Sequence, residues 1–239
     1  MPKALAYHRP ATITDAIGLL AEPGRTVLGG GTVLNTPGGI PVEVVDLQAL
    51  NLDKIVVEGD RIRCGAMTTL QQVVEGPVPE LVARAARREL PMTLRNQATL
   101  GGVVAGGDWE SVLLATLLVS DASVELTGSD GSEMHLLSAL LRTGVEPGRI
   151  ITSITFETDG NGIIESTGRT PADTPIVAAV GRRSGDEVLI ALTGVAATPI
   201  LVEPTKVDRL QPPGDFRGSS DYRLHLARVL TRRVVEGLP

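Results

Sequence analysis

Two glycine turns constrain this chain more than any other feature. One is Val27-Leu28-Gly29-Gly30-Gly31-Thr32; the other is Leu94-Arg95-Asn96-Gln97-Ala98-Thr99-Leu100-Gly101-Gly102. Glycine lacks Cβ, so its backbone can approach an anion closely and adopt positive φ. Successive N–H groups in such a turn form an anion-binding concavity. Gly29–Gly31 alone reads first as a tight turn. The pair, each with a threonine beside it, can bring two stretches of bare backbone N–H against one diphosphate.

The 239 residues suffice for one large domain or two to three small ones. Hydrophobic residues make up 42% and aromatics only 2%, so the apolar mass is Val, Leu, Ile and Ala, which suits α/β or α+β packing. So few aromatics argue against single-strand nucleic-acid binding by stacking, and a net charge of −6 argues further against a nucleic-acid partner. Cys64 is the only cysteine, which excludes an intrachain disulfide and an iron–sulfur cluster ligated by this chain's cysteines alone. His8, His135 and His225 lack metal-ligand spacing, and no metal site is expected. The start has no secretory signal, and the apolar run Val112–Val119 is too short to span a bilayer and reads as buried helix. A cytoplasmic protein without membrane association is expected.

Along the chain, Thr12 caps a helix ending at Leu20, and Thr26–Leu28 is a short strand running into the first glycine turn. Val42–Leu47 is a second strand. Asp53–Gly65 reads as a hairpin turning at Glu58-Gly59-Asp60, followed by helices over Thr68–Glu75 and Pro79–Leu90. Arg95–Gly107 is glycine-rich and poor in charge; Asp108–Leu118 is a buried helix. Ser123–Leu126 and Ile150–Phe156 are strands. A break follows at Thr158–Gly162, and Gly168–Pro175 reads as a loop. Strands over Ile176–Arg182, Glu187–Val195 and Ile200–Glu203 suggest an antiparallel sheet. Ser219–Glu236 is an amphipathic helix with Tyr222, Leu226, Val229, Leu230 and Val234 on one face.

Three stretches resemble the FAD-binding subunits of molybdenum hydroxylases: the medium subunits of carbon monoxide dehydrogenases and the flavin domains of xanthine dehydrogenases. Val27–Thr32 looks like that family's first pyrophosphate turn. Arg95-Asn96-Gln97-Ala98-Thr99-Leu100-Gly101-Gly102 is very similar to its second, and Gly65-Ala66-Met67-Thr68-Thr69 matches a Gly-Ala-x-Thr-Thr signature. Leu192–Pro199 and Phe216–Leu226 resemble its C-terminal domain, so the resemblance covers nearly the whole chain.

The resemblance implies an α+β protein with a two-part FAD-binding fold, a small α/β unit (1–52) and a larger α+β unit (53–160). A C-terminal domain (165–239) of antiparallel sheet and helices follows. FAD would lie between the first two parts. Carried over by position, Leu28, Gly29, Gly30, Gly31, Thr32, Val33 and Leu34 would face the cofactor from one side. Thr99, Leu100, Gly101 and Gly102 would face it from the other, with Arg95, Thr68, Thr69 and Asp108 as further candidates. In such subunits FAD receives electrons from iron–sulfur clusters on a partner chain and passes them to NAD or another acceptor. The substrate is oxidised at a molybdenum cofactor on a third chain. An iron–sulfur subunit and a molybdenum-cofactor subunit are therefore the implied partners.

The chain also departs from the pattern. Where the family has asparagines, a proline and an aspartate near the flavin and its ribityl chain, this sequence reads Val103-Val104-Ala105-Gly106-Gly107-Asp108-Trp109-Glu110-Ser111-Val112. Val103 and Gly106 occupy the asparagine positions, and the aspartate falls near Ser111 or Val112. Asp108 and Glu110 are candidates for a carboxylate from a shifted position. Val33 replaces a common polar residue, and Thr36–Pro41 is shorter than the usual connection. Two readings stay open, a divergent flavoprotein or a cofactor-free relative acting as a binding or scaffold module. Several residues also carry two readings. Arg95 could reach a phosphate or form a structural ion pair, and Thr68 and Thr69 could cap a helix or touch cofactor. Trp109 could cover a ring or fill its space. Cys64 reads as a small buried residue.

Overall fold

The computed structural model describes residues 4–34, 42–168 and 173–238; the Thr36–Pro41 connection and part of the Gly168–Pro175 loop lie outside them. The chain forms three sheets in succession. The first contains β1 (Ala4–His8), β2 (Arg25–Leu28) and β3 (Val42–Asp46), all parallel in the order β1-β3-β2. Helix α1 (Ile13–Leu20) starts where the Thr12 side chain accepts from Asp15 N, and it buries Ala16 in a small core with Val45 and Leu47. The chain leaves the carboxyl end of β2 directly into Gly29–Gly31, the end of a parallel strand where α/β sheets hold ligands.

The second sheet is antiparallel. Its hairpin β4 (Ile55–Glu58) and β5 (Arg61–Gly65) turns at Gly59, as expected. Four helices follow: α2 (Leu70–Glu75), α3 (Glu80–Glu89), α4 (Met92–Arg95) and α5 (Leu100–Gly106). A fifth, α6 (Val112–Val119), is buried along its whole length, so the apolar run reads correctly as buried helix. Its start lies four residues later than Asp108, because Asp108–Ser111 form the turn that leads in, and Ser111 caps the helix by accepting from Leu114 N. Strands β6 (Ser123–Gly128) and β7 (Gly131–Leu136), helix α7 (Leu137–Thr143) and strand β8 (Ile150–Glu157) complete the order β4-β5-β8-β6-β7.

The third sheet is also antiparallel, β12-β11-β10-β9, from β9 (Asn161–Thr167), β10 (Val177–Ser184), β11 (Glu187–Leu192) and β12 (Ile200–Leu201). Side chains alternate across a strand. Ala178, Val180 and Ala191 therefore join the large core around α6, while Val177, Ala179, Ile190 and Leu192 face the final helix, α8 (Ser220–Gly237). On α8 the buried residues are Arg223, Leu226, Ala227, Leu230, Thr231 and Val234. Tyr222, expected on the apolar face, is exposed, and Arg223 takes the inward position instead. The whole is the α+β arrangement expected, and among the described residues no helix is long and apolar enough to cross a membrane.

Candidate functional site

The two glycine turns meet. A Cβ on Gly30 would stand 1.7 Å from the Gln97 carbonyl oxygen, so only glycine allows the first turn to press against the second. The Gly65–Thr69 stretch holds the second turn from below. Gly101 N donates to Ala66 O at 2.8 Å, Leu100 N to Thr68 O at 2.9 Å, and Leu70 N to Ala98 O at 2.9 Å. Thr99 Oγ1 accepts from Gly102 N at 3.1 Å and so caps α5.

Beside these turns opens a cleft of about 460 Å³. Its lining includes Gly29, Gly30, Gly31, Thr32, Val33, Leu34, Thr99, Gly101, Gly102 and Asp108. A second cavity of about 460 Å³ shares Gly29, Gly30, Met67 and Thr99 with it, and the rest of its lining is mostly polar, including Gln48, Asp53, Thr69 and Gln72. The joined turns form a common wall.

The turns differ in what their backbone offers. In the second, the N–H groups of Leu100, Gly101, Gly102 and Val103 already donate to Thr68 O, Ala66 O, Thr99 Oγ1 and Thr99 O. In the first, no acceptor among the described residues pairs with the N–H of Gly29, Gly30, Gly31 or Thr32. Buried or half-buried N–H groups are normally paired, so this row of donors at the cleft suits an external anion.

Five candidate residues stand elsewhere. Leu28 ends β2, and its carbonyl accepts from Leu47 N. Leu100 lies in the core. Arg95 turns away: Nε donates to Gln71 Oε1 at 3.1 Å, and Nη1 donates to Arg87 O and Leu90 O at 2.7 and 3.0 Å, closing the end of α3. Thr68 is fully buried, with Oγ1 unpaired. Thr69 faces the second cavity and forms a capping box with Gln72 on α2. His8 pairs with Glu43. Burial pushes the Cys64 thiol up to about 12, which suits a packing role.

The far wall of the cleft carries carboxylates. Asp108 Oδ1 accepts from Glu110 N at 2.9 Å. Glu110 is held by Arg217 and, at 3.5 Å, by Arg223; burial nevertheless pushes its carboxyl above the usual range, outweighing both arginines. The Arg223 guanidinium lies 4.4 Å from the centre of the Trp109 ring. One face of Trp109 thus stacks on an arginine of the C-terminal helix, and Trp109 is not among the residues that line the cleft. Glu89, at the end of α3, also lines the cleft and accepts from Leu113 N at 3.1 Å. Nothing in its local sequence distinguishes it, because what makes it interesting is contact with α6, more than twenty residues away.

Residues 3–156 match the family described as "FAD binding domain in molybdopterin dehydrogenase". The chain belongs to this family. The carbon monoxide dehydrogenase medium chain of Afipia carboxidovorans is 29% identical over 280 aligned positions, covering 99% of this chain and 97% of that one. The putative xanthine dehydrogenase FAD-binding subunit of Escherichia coli is 26% identical, with 96% and 94% covered. In structure, a chain of carbon monoxide dehydrogenase from Hydrogenophaga pseudoflava superposes with a TM-score of 0.90 at 23% identity, over 100% of this chain and 98% of that one. The fold is thus that of the family, and the family's cofactor is FAD.

Proposed function

We propose that the chain is the flavin-carrying subunit of a molybdenum-hydroxylase-type oxidoreductase, and that the cleft beside the joined turns holds FAD. The observation that carries this reading is the row of unpaired N–H donors at Gly29–Thr32 on the cleft wall. They suit the FAD diphosphate, with Thr99 and Gly102 closing the other side. Val33, Leu34 and Val103 supply apolar lining. Bound FAD supplies the electron-carrying ring; the chain's own residues hold, orient and shield it. Arg95, Leu28, Thr68 and Leu100 belong to the scaffold beneath the cleft.

Electrons would enter from iron–sulfur clusters on a partner chain, since this chain's single cysteine is buried. They would leave to NAD or another acceptor, with the substrate oxidised on a molybdenum-cofactor chain. The competing reading, a cofactor-free relative, draws on the second turn, whose donors are already paired, and on Val103 and Gly106. Purification followed by absorbance spectroscopy with added FAD separates the two. Stoichiometric, reducible flavin is expected; a colourless protein after FAD addition and desalting rejects the flavin reading.

A further inference from the structure

We infer that Glu89 is the ligand-facing carboxyl of the cleft, hydrogen-bonding the ring or ribityl end of the bound flavin; this rests on the FAD reading above. Among the family features implied by resemblance, the carboxylate near the flavin falls at Ser111 or Val112, where this chain has none. The structure brings one to that point from another element. Glu89, at the last position of α3, accepts from Leu113 N at 3.1 Å, in the first turn of α6 after its Ser111 cap. A carboxylate offers about four acceptor sites. One is engaged by Leu113 N at the start of α6, and Glu89 also lines the open cleft.

On the same wall, Glu110 pairs with Arg217 and Arg223 and is thereby charge-neutralised, although its Oε1 accepts no hydrogen bond, and Asp108 Oδ1 folds back on its own turn. Burial also pushes the Glu89 carboxyl above its ordinary range, with Asp108 adding to the shift. A carboxyl in that condition can accept from a ring N–H or a ribityl hydroxyl, and when protonated it can donate to a ring oxygen. Neither exchange occurs at the diphosphate, which lies at the glycine turns. The nearby charged groups are Arg88, Asp108, Glu110 and Arg149, all on the cleft lining.

The experiment uses the full chain, with Glu89→Gln and Glu89→Ala, titrated separately with FAD and with ADP, which shares the diphosphate but has no flavin or ribityl chain. Wild type should bind both. E89A should weaken FAD binding by about tenfold or more while leaving ADP binding unchanged, because only the flavin end loses a partner. E89Q keeps an acceptor oxygen and should restore most of the FAD affinity. If Glu89 does no more than anchor α6, E89A should lower the thermal midpoint and weaken FAD and ADP in parallel, with E89Q restoring both together, which overturns the inference. Unchanged FAD affinity in E89A overturns it too. Wild type that binds ADP but not FAD, or neither, refutes the flavin reading itself and Glu89's role with it.

Discussion

Gly30 has no room for even one added carbon. Its missing Cβ is the space occupied by the Gln97 carbonyl oxygen, and a backbone atom cannot rotate aside as a side chain can. Gly30→Ala should therefore force the turns apart, lowering stability by about 3 kcal/mol and abolishing flavin binding. Gly18, in α1, is the control: nothing lies within 4 Å of its added Cβ. Gly18→Ala should stabilise by about 0.5–1 kcal/mol, since glycine is a poor helix residue. Urea unfolding of both variants checks the pair. At this scale the sequence locates the cleft better than it assigns roles. Gly29–Leu34 and Gly102 do line it. Arg95 does not, because a guanidinium can reach any of several carbonyls, and only the fold places Arg87 O and Leu90 O within its range. The glycines also have a second purpose that spacing cannot reveal, the contact of one turn with the other.

The elements that escape sequence reading do so for identifiable reasons. Helix α5 holds three glycines in seven residues, a composition that opposes helix formation. It forms because Thr99 caps it and because the Gly65–Thr69 stretch accepts its first N–H groups. Strand β9 begins at Asn161 within Asp159-Gly160-Asn161-Gly162, which reads as a break; pairing with β10 from Arg183 to Val177 overrides that local signal. Clearer signals made the outcome legible elsewhere: the prolines bounding α3, the unbroken apolar run of α6 and the amphipathic pattern of α8. The junction of α3 with α6 carries a pH dependence. Burial holds the Glu89 carboxyl above its unfolded value, so below the ordinary glutamate range both states are protonated and no penalty arises. As pH rises above that range and through the raised folded value, the unfolded chain releases its proton more readily, and stability falls. Wild type should lose stability over that window relative to Glu89→Gln. Urea midpoints measured across a pH series, compared between the two proteins, should diverge upward in pH; parallel curves would show that the carboxyl ionises without cost.

On the scale of the whole molecule, two buried arginines fasten the C-terminal sheet to the rest of the fold at opposite ends of α6. Arg182 of β10 donates to Val119 O at 2.9 Å, to Asp159 O at 2.9 Å and to Glu157 Oε2 at 2.8 Å, at the end of that helix. Arg223 of α8 donates to Ile176 O at 2.6 Å, Gly194 O at 3.1 Å and Asp215 Oδ2 at 2.7 Å, and it holds Trp109 and Glu110 ahead of the helix start. Eight residues of helix separate the ends by about 12 Å. Only the Arg223 end touches the cleft, through Glu110. Removing either guanidinium leaves buried carbonyls without their donor and loosens a carboxylate, a loss of about 3 kcal/mol. Arg182→Met and Arg223→Met should therefore lower the melting temperature to a similar degree. Their effects on flavin should differ. At a temperature where both variants remain folded, Arg182→Met should bind FAD as wild type does. Arg223→Met should bind it more weakly, because Trp109 and Glu110 lose the contact that fixes the far wall. Circular dichroism gives the first comparison and flavin fluorescence titration the second. Equal loss of FAD affinity in both would mean that the cleft depends on the docked sheet as a whole rather than on the Arg223 contact.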